Sequence, residues 1–104
     1  MTLFLLCMIL HATVADPNIT CFQDGQKCEV SSDNLIEVFV ETTWEECSQL
    51  CQDNLSCMAF NFFGPESDFH QHNSCLLLSS CTKKLACRDC VLGVSQDDCM
   101  ECVL

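Results

Sequence analysis

Twelve cysteines in 104 residues are the first candidates for chemistry. Late in the chain, Cys87-Arg88-Asp89-Cys90 and Cys99-Met100-Glu101-Cys102 form two C-x2-C pairs with eight residues between them. Four thiolates so arranged can hold a tetrahedral zinc ion, and one pair alone can exchange thiol for disulfide. The linker is shorter than the roughly 15 to 20 residues usual between zinc-binding pairs, and a thioredoxin-like site needs its C-x-x-C at a helix N-terminus in a larger α/β fold. Disulfides are therefore the expected state, with no metal and no cofactor. His70-Gln71-His72 places two imidazoles on one side of an extended segment, a spacing that can chelate a metal weakly or respond to pH, although a plain polar loop is the simpler reading. Ser, His and Asp all occur, but without a nucleophile elbow or a phosphate-binding glycine loop, so no enzyme is expected.

Oxidised cysteines need an oxidising compartment, and the N-terminus supplies the route. Leu3 to Leu10 is an unbroken apolar run, followed by the small residues of Ala12-Thr13-Val14-Ala15, the pattern of a secretion signal cleaved after Ala15. Eight apolar residues fall well short of the roughly 20 that a helix needs to span a bilayer. The N-terminal stretch departs from the usual signal in having no Lys or Arg. Removing residues 1–15 takes Cys7 with them and leaves 89 residues carrying 11 cysteines, a density typical of secreted disulfide scaffolds. Each bridge that closes a loop of some 15 residues contributes roughly 3 kcal/mol by restricting the unfolded chain. The odd count leaves at least one sulfur for a free thiol or for a disulfide-linked dimer. With 15 acidic against 4 basic residues and a net charge of -11, the surface repels nucleic acid, sulfated polymers and anionic membranes. No membrane insertion is expected.

The elements that must position these groups follow from pattern. Asn18-Ile19-Thr20 is a glycosylation sequon on a polar entry segment. Cys21 and Cys28 flank Asp24-Gly25, which predicts a tight turn and a hairpin. Leu35 to Val40 reads as a strand, with Ile36, Val38 and Val40 on one face and Glu37 and Glu41 on the other, where Phe39 lies between them. Thr43-Trp44-Glu45-Glu46 is a capping box that starts a helix running to about Asp53, with Trp44, Cys47, Leu50 and Cys51 on the stripe facing a sheet. Glu45, Glu46 and Gln49 face water. Asn54-Leu55-Ser56 is a second sequon, in the loop after the helix. Cys57 to Phe63 alternates as a strand, with Ala59, Asn61 and Phe63 opposite Met58, Phe60 and Phe62, and Gly64-Pro65 ends it. Residues 66–73 form a polar loop, and Ser74 to Leu78 reads as a further strand. Cys81, Cys87, Cys90, Cys99 and Cys102 crowd the remainder, with Lys83-Lys84 and Gly93 in turns and little apolar patterning, which predicts a tail held by sulfur rather than by packing.

The order Thr43-Trp44-Glu45-Glu46-Cys47-x3-Cys51-x5-Cys57-Met58-Ala59-Phe60-Asn61-Phe62, then a loop and Cys75-Leu76-Leu77-Leu78, resembles the core of PAN/apple domains. The resemblance covers about residues 35–80, half of the chain left after cleavage. It implies an α+β module in which one helix lies across a curved antiparallel sheet, and it implies the pairs Cys47 with Cys75 and Cys51 with Cys57. It further implies a bridge from Cys21 or Cys28 to one of the tail cysteines, and the pairing of Cys81, Cys87, Cys90, Cys99 and Cys102 stays open. The five-cysteine tail departs from the family pattern. The expected organisation is a signal over 1–15, a PAN/apple-like domain over 16–80, and a cysteine-rich extension over 81–104 tied to it. The function this implies is a secreted, non-catalytic module that binds an extracellular protein or carbohydrate, with Phe63, Phe69, His70 and His72 of the long loop as exposed contact residues and Asn18 and Asn54 as glycan sites. A secreted toxin-like or inhibitor effector of the same size and cysteine density is the alternative.

Overall fold

The computed structural model of the chain describes residues 19–69 and 71–95. Residues 1–15, where a signal is expected, and Asn18, His70, Cys99 and Cys102 lie outside them. Five strands and one helix follow in the order β1 (Ile19–Cys28), β2 (Leu35–Phe39), α1 (Trp44–Gln52), β3 (Ala59–Phe63), β4 (Ser74–Leu78) and β5 (Lys84–Ser95). All strand pairs are antiparallel, and the sheet runs β1-β5-β3-β4-β2. The fold is thus a small disulfide-rich α+β domain.

α1 starts where its capping box demands. The Glu46 amide donates to Thr43 Oγ1 at 3.1 Å and the Thr43 amide donates to Glu46 Oε1 at 3.0 Å, satisfying two otherwise unpaired donors. Cys47 and Cys51 turn toward the sheet and are fully buried, Ser48 is nearly so, and Leu50 packs at the margin. Trp44 departs from the expected stripe. At the first helical position it overhangs the sheet rather than entering it, stays 37% exposed, and meets Phe22 edge-on at 5.0 Å.

β3 lies at the centre, and period-2 alternation sends its side chains into two cores. Phe60 and Phe62 face α1 together with Cys75 and Leu77 of β4, whereas Ala59 and Phe63 pack on the opposite face with Leu76, Leu78, Leu92 and Val94. Gly93 of β5 sits beside Phe60, and a Cβ there would overlap the ring, so the glycine is what lets this phenylalanine lie flat on the sheet.

What covers the second face is the ribbon of β1 and β5. Asn61 stands at the middle of that face, accepting from the Cys28 amide at 2.8 Å and donating to the Cys28 carbonyl at 2.9 Å. β5 separates β1 from β3 within the sheet, so these bonds require the end of β1 to fold back over the face. The fold-back occurs at an interruption in the β1–β5 ladder: Asp24 pairs with Val91 but Gln26 pairs with Ala86, so residues 87–90 of β5 bulge out opposite Gly25, whose φ is 77°. The Asp24-Gly25 pair therefore makes a bulge within one long strand instead of the turn of a hairpin, because β5, not the second half of β1, supplies the ladder partner.

Two further expectations are corrected. In β2 the register slips between Leu35 and Glu37, so the inward side chains are Ile36 and Phe39, three apart, and Val38 and Val40 are exposed. The bulge inverts the alternation partway along the strand. Up to Ser95, the segment beyond residue 80 is also more than a sulfur-held tail. β5 is an interior strand between β1 and β3, Lys84 and Gly93 lie in it, and Leu92 and Val94 are fully buried. A boundary at residue 80 would cut through a single sheet.

Four bridges fasten the covers. Cys47–Cys75 and Cys51–Cys57, the pairs that the resemblance implies, tie α1 to β4 and to the entry of β3, with Cα atoms 5.5 and 5.2 Å apart. Cys28–Cys81 fixes the folded end of β1, and Cys87–Cys90 closes the bulge of β5. Cys21 is disulfide-bonded as well, so none of the described cysteines is free.

Candidate functional site

A cleft of about 240 Å³ opens where the loop after β3 meets the β1–β5 ribbon, lined by Lys27, Phe63, Asp68, Phe69, Ala86, Cys87 and Arg88. Its wall is built from the end of β3. Phe63 packs into the second core at 2% exposure, and Phe69 lies nearly parallel to it, with ring centroids 4.2 Å apart and planes at 19°. Lys27 of β1 brings its Nζ to 5.8 Å from the Phe63 ring centroid, where the negative face of the ring attracts a cation.

Besides the stacking of Phe69, hydrogen bonds to the β5 bulge hold the loop in place. Gly64 donates its amide to the Asp89 carbonyl at 2.8 Å, and the Glu66 amide donates to Asp89 Oδ2 at 2.7 Å. Asp89 adopts a φ of 54° at the tip of the β5 bulge, and the Cys87–Cys90 bridge spans that tip. The Ser67 hydroxyl donates to the Gly64 carbonyl at 2.9 Å and closes the turn. At the mouth, Arg88 and Glu66 approach to 3.7 Å with both side chains more than 70% exposed, a contact worth little in water.

The expected contact residues fall in different places. Phe63 is part of the wall rather than an exposed contact, because alternation along β3 turns it into the second core. Phe69 is half-buried against it and lines the cleft. His72 is exposed and does not line the cleft, and His70 lies outside the described residues. Sequence reasoning missed Lys27, Asp68, Ala86, Cys87 and Arg88. One signal could have found two of them: Lys27 and Arg88 are half of the four basic residues in an acidic chain. Cys87 and Cys90 are bonded to each other, which leaves neither as a thiolate ligand, and no group of three or more metal-binding side chains occurs among the described residues.

The Asn54 sequon lies on the turn after α1. Asn54 Oδ1 accepts from the Ser56 amide at 2.9 Å, an Asx-turn, and the intervening Leu55 is almost wholly exposed. Fold and cleft together define a small disulfide-crosslinked α+β domain with an aromatic recess at the sheet's second face. No family model matches the chain, and no curated protein matches it at a significant level.

Proposed function

We propose that the chain is a secreted, non-catalytic binding module of the PAN/apple type that engages an extracellular protein or carbohydrate. The observation that carries this reading is the cleft, where an aromatic pair stands beside Lys27, Arg88 and Asp68. The lining is mixed, with three charged side chains converging beside the aromatic pair, and polar groups so placed fix the orientation of a ligand. At about 240 Å³ it suits one sugar ring or one side chain of a larger partner better than a drug-sized molecule. The bridges among the described residues and the signal-like segment support export, and no helix among the described residues is long and apolar enough to cross a membrane. The Asn54 turn, with Leu55 almost wholly exposed, gives that route a place to attach a glycan.

The test is a glycan array and a pull-down from cell-surface ectodomains, run with the secreted protein and its Phe69→Ala and Lys27→Ala variants. Binding lost in both variants, with the fold retained, is the expected result. A ligand held equally by wild type and both variants would move recognition away from the cleft.

A further inference from the structure

Among the described residues β2 is an edge of the sheet: it pairs with β4 on one side and with no other strand. Edges of this kind offer unpaired backbone donors and acceptors, and proteins commonly guard them with Lys, Pro, bulges or short length. Leu35–Phe39 contains neither Lys nor Pro, and its protection is the register slip at its start together with Glu37.

The strand is amphipathic in a way the core does not use. Leu35 and Val38 lie opposite Leu78 and Leu76, which places them on the face away from α1, and with Val40 just beyond the strand they remain 39%, 45% and 48% exposed. Glu37 lies opposite Leu77, on the helix side. Charge then selects among partners. From Cys28 to Thr82 the chain has no Lys or Arg, whereas Glu29, Asp33, Glu37, Glu41, Glu45 and Glu46 bracket the strand. A second copy pairing here would bring one net charge of -11 against another and face acidic side chains with acidic side chains. The guard therefore repels its own kind while attracting the opposite sign.

We infer that the β2 edge takes an extended, basic segment of another protein as an added strand. The incoming strand alternates apolar and Lys or Arg residues: its apolar side chains cover Leu35 and Val38, and its cations reach Glu37 and Glu41. Main-chain bonds supply affinity and the charge pattern supplies selectivity. This edge shares no lining residue with the cleft, so either reading can fail without the other.

The test uses the oxidised, secreted full chain, isotope-labelled, with a nine-residue synthetic peptide alternating valine and lysine. A peptide of the same composition with the valines in one block is the control. Amide exchange over residues 35–39 is expected to slow about tenfold with the alternating peptide and not with the block peptide. Val38→Lys and Glu37→Gln, both at exposed positions, are each expected to weaken binding several-fold while leaving the β3 and β4 amide spectrum unchanged. Equal binding of the two peptides, protection mapping away from β2, or sedimentation showing that the free protein self-associates through this strand would overturn the proposal.

Discussion

The two faces of the sheet are covered by different means. On one face a helix of nine residues, Trp44–Gln52, is capped by its own sequence and bridged to strands that follow closely. On the other, the ribbon of β1 and β5 brings together residues from opposite ends of the domain, held by Cys28–Cys81 across 53 residues and by the side chain of Asn61. The first cover is built locally, and the second exists only when the whole chain is folded. A small domain can thus complete a two-sided core without a second helix, provided that a distant crosslink restricts the unfolded chain.

That contrast can be broken or sharpened by substitution. The largest effect is expected from the double replacement Cys28→Ala with Cys81→Ala. A loop of this length gives up to about 4 kcal/mol in the chain-entropy account, less whatever the enclosed Cys47–Cys75 bridge already restricts, whereas Cys51–Cys57, with a separation of 6, gives about 2 kcal/mol. Guanidinium unfolding of the two double variants checks the order, and a larger loss at Cys51–Cys57 would reverse the proposed division of labour. Next comes Asn61→Leu, which leaves the buried Cys28 amide and carbonyl without partners and is expected to cost about 2–4 kcal/mol by the same measurement. If the second face were merely resting on the sheet, the variant would be near neutral. The smallest effect belongs to Thr43→Ala, which removes the cap of α1 and is expected to cost about 1 kcal/mol, seen as a lowered melting temperature with the ribbon's amide protection intact.

The local cover was legible in the sequence and the distant one was not, for physical reasons. Thr43 and Glu46 announce the helix start because capping involves residues three apart, and β3 reads as a strand because both of its faces are buried, which makes it a short, largely apolar run ended by Gly64-Pro65. β2 misled because a bulge shifts its phase, and a bulge leaves no mark on the pattern until the partner strand is known. β5 does not show as a strand because Lys84, Cys87 and Cys90 interrupt its apolar residues, and Lys84 and Gly93 look like turn residues, whereas that glycine is there to admit the Phe60 ring. Asp24-Gly25 carried a genuine positive φ, but the ladder partner, not the dipeptide, decides between bulge and turn. The cleft follows the same rule. Phe69 was visible in its loop, while Lys27, Ala86 and Arg88 reach it only through the β1–β5 pairing, which spans some sixty residues.

The strand Lys84–Ser95 is part of the core and is locked there by the distant bridge. Mass-spectrometric disulfide mapping of the unreduced protein tests this most directly. The expected linkages are Cys28 to Cys81, Cys47 to Cys75, Cys51 to Cys57 and Cys87 to Cys90. Recovery of Cys28 joined to another cysteine, or of Cys81 as a free thiol, would contradict it.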